Sequence, residues 1–149
     1  MDTQNPLLYS KCVVLNIKAS NERYISADGG GGKEIHANRE VPKNWETFKM
    51  YSTSGPFTHN AKVFICCEHG QYWGTEKKGE LHSKEPKNTA NTVFTLVNPS
   101  MSAIQIGSWV GLKNYEGRYL SIRDGSFAKA NQSELGPMEL FKLEILNYS

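Results

Sequence analysis

The chain has 149 residues, a hydrophobic fraction of 38%, a charged fraction of 21% and a formal net charge of +2. It is too apolar and too near neutrality for a disordered polymer, and its length suits one domain, residues 1–149, that buries roughly 70% of its unfolded surface. The charge balance argues neither for nor against an anionic partner.

Residues 1–11 carry Asp2 and no apolar run longer than Leu7-Leu8, so they hold neither a signal-peptide core nor a membrane span. They read as a leader that crosses the bottom of the fold, and a cytoplasmic protein is expected. Cys12, Cys66 and Cys67 cannot all pair off, and no Cys or His stands at a zinc-ligand spacing from the adjacent two. Free thiols of a reducing compartment are expected, with no metal and no cofactor.

From Val13 the apolar residues alternate as Val13, Leu15 and Ile17, the period of a half-buried strand. A turn at Asn21-Glu22 leads to a second strand, Tyr24 to Ala27. Asp28 and the run Gly29 to Gly32 then reverse the chain, with no Gly-Lys-Ser/Thr to make the run a phosphate loop. Ile35 to Asn38 is a third strand, and Trp45 to Tyr51 a fourth. The second copy of this pattern has strands at Lys62 to Cys67, Tyr72 to Thr75, Glu80 to Ser83 and Thr92 to Val97. The third runs through Ile104, Ile106, Trp109 and Val110 into Leu112, then Tyr119 to Ile122, Phe127 to Ala130 across Asp124-Gly125, and Glu139 to Leu146.

The copies align residue by residue. Tyr24, Tyr72 and Tyr119 are 48 and 47 apart, and Phe48, Phe94 and Phe141 are 46 and 47 apart. Leu15, Val63 and Val110, then Ile17, Ile65 and Leu112, then Met50, Leu96 and Leu143 fall in the same register. Such a period marks an internal repeat. The tyrosines and phenylalanines are both expected in the core. Pro42, Pro86 and Pro137 break each connection that might hold a sustained helix. An all-β fold follows: a β-trefoil of three pseudo-symmetric four-strand repeats of about 47 residues, near 11–57, 61–103 and 104–149, closed on one another because one repeat cannot bury its own apolar face.

No Ser, Cys or carboxylate has a general-base partner at a telling spacing, so no catalytic residue and no enzyme is expected. His36 and His82 are placed on the outward face of the third strands, and His59 and His69 in loops, all solvated. Binding falls to the loops that differ between copies. Arg39 and Lys43 flank Pro42, Lys84 and Lys87 flank Pro86, and Lys77-Lys78 forms a further cationic tip. These six are the candidate partner-binding residues.

The strings Leu15-Asn-Ile-Lys-Ala-Ser-Asn-Glu-Arg-Tyr24-Ile-Ser, Gly70-Gln-Tyr-Trp73-Gly, Gly117-Arg-Tyr-Leu-Ser121 and Glu139-Leu-Phe-Lys-Leu-Glu144 resemble the fascin repeat from about Val13 to Leu146. That resemblance implies a β-trefoil that binds filamentous actin in the cytosol, and the chain is also similar to the single-trefoil hisactophilins. Fascins carry four trefoils, so one trefoil would have to dimerise or use two faces to bundle filaments. Only four histidines are present, which departs from the histidine-rich hisactophilins. The alternative partner is carbohydrate, because Gln71-Tyr72-Trp73 fits the Gln-x-Trp string of ricin-type trefoil lectins. No nucleic acid is expected as a partner.

Overall fold

The computed structural model describes residues 11–27, 30, 35–53, 56–86, 89–101, 104, 107–122 and 128–148. They form twelve strands: β1 (Cys12–Ala19), β2 (Tyr24–Ala27), β3 (Ile35–Arg39), β4 (Phe48–Ser52), β5 (Lys62–Cys66), β6 (Tyr72–Thr75), β7 (Leu81–Glu85), β8 (Phe94–Val97), β9 (Trp109–Lys113), β10 (Tyr119–Ser121), β11 (Lys129–Gln132) and β12 (Phe141–Tyr148). The expected leader, most of the glycine run and the Asp124-Gly125 turn lie outside the described residues.

Six strands close a barrel. β1 pairs with β12 and β4, β4 with β5, β5 with β8, β8 with β9, and β9 with β12, all antiparallel. The hairpins β2–β3, β6–β7 and β10–β11 hang from β1, β5 and β9. The arrangement is consistent with the expected β-trefoil, and closure leaves the barrel without a free edge.

The repeated apolar positions fill the interior. Leu15, Val63 and Val110, Ile17, Ile65 and Leu112, Met50, Leu96 and Leu143, and Phe48, Phe94 and Phe141 are all at most 2% exposed. Trp73 sits edge-on to Phe48 at 5.0 Å and to Phe94 at 6.3 Å. At the hairpin end, the backbones of Ile35, Leu81 and Ala128, another trio 46 and 47 apart, meet directly. The Leu81 N–H donates to the Ala128 carbonyl, and the Ala128 N–H to that of Ile35.

Three expectations are corrected. Of the three tyrosines Tyr24 is buried at 9% exposure, but Tyr72 and Tyr119 are only half-buried, and the residues after the three, Ile25, Trp73 and Leu120, are the ones at 0% exposure. Tyr24 packs under the Lys18 ammonium, Tyr119 is half-buried beneath Lys113, and Tyr72 is half-buried against Phe64. Each fourth strand starts later than its apolar pattern suggests, because single 3-10 turns, Asn44–Glu46, Ala90–Thr92 and Pro137–Glu139, precede Phe48, Phe94 and Phe141. His82 is buried rather than solvated: its Nδ1 accepts the Lys84 N–H and its Nε2 lies 3.0 Å from Glu76 Oε1.

Candidate binding site

The connection from β3 to β4 is anchored at its base and open at its apex. At the base the Glu46 carboxylate, 3% exposed, accepts the Lys43 N–H at 2.9 Å and the Ser26 hydroxyl at 2.7 Å. The buried Asn16 amide donates to the Glu46 carbonyl and to Thr47 Oγ1. These bonds satisfy the polar groups of the 3-10 turn and fix where the loop leaves the barrel.

Above that base Val41 is 64% and Trp45 42% exposed. The Arg39 guanidinium lies over the Trp45 ring, 5.9 Å from its centroid. With Lys43, Asn38 and Asn44, these residues line a cleft of about 880 Å³. Its lining contains no serine, cysteine or histidine. Glu40 at its rim is paired with Arg23.

The corresponding connection of the third copy contacts the barrel. Leu135 packs onto Gly111 so tightly that a Cβ there would stand 2.6 Å from its Cδ1. In the first copy Asn16 occupies the position of Gly111, eight residues before the tyrosine, and its side chain is spent on the base of the loop.

Of the candidate cations, the structure brings Arg39 and Lys43 onto one cleft. Lys77 and Lys78 are exposed in the turn between β6 and β7, at the opposite end of that hairpin from the exposed Lys84. Lys87 lies outside the described residues. Trp45 was read only as the start of a strand. The signal that singles it out is the alignment of the copies, which puts Asn91 and Met138 where it stands, three residues before the phenylalanine.

A smaller cleft of about 310 Å³ opens beside Lys49, Tyr51, Cys66 and Cys67. All three cysteines are free thiols. Burial raises those of Cys12 and Cys66 above the ordinary thiol range and pushes Cys67 up to about 12. A raised value suppresses the nucleophilic thiolate, so this cleft offers no activated cysteine. The Trp73 ring of the Gln-x-Trp string is 0% exposed and cannot stack on a sugar. Among the described residues, no group of three or more His, Cys, Asp or Glu is placed to hold a metal ion, and no helix is long and apolar enough to cross a membrane.

A family model described as a domain of unknown function (DUF7910) matches residues 7–144. Fascin-2 of Homo sapiens and fascin-2 of Mus musculus are each 27% identical over 129 residues, covering 87% of this chain. The chain spans 24% of the length of these relatives. The fold is shared with an SDF2-like protein from Arabidopsis thaliana (TM-score 0.69, 8% identity, 91% of this chain and 93% of that one). It is shared too with the designed 3-fold symmetric protein ThreeFoil (TM-score 0.71, 11% identity, 89% and 99%). Part of a mosquitocidal holotoxin also superposes (TM-score 0.72, 12% identity, 97% of this chain and 18% of that one).

Proposed function

The chain belongs to the DUF7910 family, and from that premise we propose that it is a non-enzymatic, cytoplasmic β-trefoil of three repeats that binds filamentous actin. The observation that carries this reading is the similarity to fascin-2 across 129 residues, which runs through the barrel and its hairpins rather than a local motif. The exposed cations Arg39, Lys43, Lys77, Lys78 and Lys84, with Lys87, supply the charge that an acidic filament surface would attract. Carbohydrate is the second reading, and the open cleft beside Trp45, rather than the Gln-x-Trp string, is what favours it.

Cosedimentation tests the actin reading. The chain is expected to pellet with filaments at about 10–50 μM in low salt. Binding should weaken as the Debye length falls from about 30 to about 8 Å. The double reversal Lys43→Glu and Lys87→Glu is expected to weaken binding at least tenfold, about 1.4 kcal/mol, with little change in melting temperature from the exposed Lys43, because exposed charges stabilise folds weakly. Protein left in the supernatant at these concentrations sinks the reading, and unaltered binding by the folded double variant moves the contact to another face.

A further inference from the structure

The apex of the β3–β4 connection keeps an uncommitted set of binding groups. Glu46 is saturated by Lys43 N–H and Ser26, and Glu40 is taken by Arg23. Among the described residues neither Arg39 nor Lys43 pairs with a carboxylate, and neither the Asn38 nor the Asn44 side-chain amide makes a hydrogen bond. Asn21 and Asn114, by contrast, are consumed by the fold: Asn21 donates to the Ala37 carbonyl, and Asn114 accepts the N–H groups of Glu116 and Arg118.

We infer that this cleft binds a carboxylated saccharide, a uronic acid unit of an acidic glycan. The cation–π contact with Trp45 holds the Arg39 guanidinium at the cleft, where its paired N–H donors can meet a carboxylate, and Lys43 adds a second positive charge at the same wall. The remaining exposed surface of Trp45 and the side chain of Val41 suit the C–H face of a pyranose. Each asparagine amide offers a donor and an acceptor together, the pairing that a sugar hydroxyl requires.

Size favours a sugar over a protein segment. A cleft of about 880 Å³ on one connection falls within the range of small-ligand sites, whereas a stable protein interface draws on roughly 20–30 residues a side. In the third copy Leu135 packs against Gly111, which stands where Asn16 does in the first. The inference goes beyond the actin reading and does not depend on it.

The test is titration of the whole chain with trigalacturonic acid, and with neutral galactotriose in parallel, by calorimetry and by NMR of the tryptophan indole N–H groups. Saturable binding of the acidic trimer is expected with a Kd of roughly 0.1–1 mM, at least tenfold tighter than the neutral one, with the Trp45 resonance shifted and that of buried Trp73 unmoved. Trp45→Ala and Arg39→Ala should each weaken binding at least tenfold, and Arg118→Ala, at an exposed cation in the turn between β9 and β10, should leave it unchanged. Should Trp45→Ala fold poorly, Arg39→Ala and the resonance map carry the test alone. Absence of saturable binding at about 10 mM overturns the inference, as does equal affinity for the neutral trimer or full binding by folded Arg39→Ala. The assay contains no actin, so this proposal and the filament reading fail separately.

Discussion

Tyr24 donates its hydroxyl to Glu144 at 2.6 Å while Lys18 covers its ring. The hydrogen bond to a carboxylate, with burial adding to it, raises its pKa to about 12. Because the folded value lies above the ordinary one near 10, this contribution to stability is complete below about pH 10 and is lost as pH rises through about 12. An absorbance titration should show a late tyrosine step, and although burial also raises Tyr51, Tyr24→Phe should remove the latest part of it at a cost of about 1 kcal/mol. A latest part that survives Tyr24→Phe would assign it to another tyrosine. The thiols give a second prediction at this scale. Cys67, 5% exposed, should be alkylated only as fast as the chain opens, while the partly exposed Cys12 reacts first. Mass spectrometry of the modified chain checks the order, and prompt labelling of Cys67 would contradict its placement in the core.

Two glycine turns that look alike in sequence are unequal in the structure. Gly70 and Gly79 both have φ near +90°, but a Cβ on Gly70 meets nothing within 4 Å, whereas one on Gly79 stands 2.4 Å from the Ala130 carbonyl oxygen. Gly70→Ala should cost about 1–2 kcal/mol for the left-handed conformation alone. Gly79→Ala should cost about 2–4 kcal/mol, because the third hairpin must also retreat. Urea denaturation separates the two, and equal losses would mean that the hairpins do not press together at that end. The 3-10 turns show what a sequence pattern misses. A single turn has no apolar period, so Trp45 and Glu46, Thr92 and Glu139 read as the starts of the strands that hold Phe48, Phe94 and Phe141. What defines them is a polar residue folded inward: Glu139, 0% exposed, accepts the Gly136 N–H and the Ser121 hydroxyl. Glu139→Ala should therefore cost about 2–4 kcal/mol, and Glu139→Gln, which keeps an acceptor, distinctly less. Comparable losses for the two variants would show that shape rather than hydrogen bonding sets the cost.

The barrel itself was legible because its interior positions are the ones that recur. Leu15, Ile17, Phe48 and Met50 reappear at a fixed offset as residues of the same character, and burial requires only that character. The candidate site was legible only in its charges. Arg39 and Lys43 stand out as cations in a connection, but the ring beneath Arg39 was hidden by its place among strand-forming residues, and the cleft depends on Asn16, more than twenty residues upstream. The ladder that closes the barrel has a consequence for load. Val13 lies opposite Tyr148 and Ala19 opposite Phe141, so tension applied to residues 12 and 148 meets the hydrogen bonds from one end of that ladder. The seam is then peeled pair by pair, like a zip, instead of being sheared along its whole length at once. Pulled from those two points, the molecule should yield at low force.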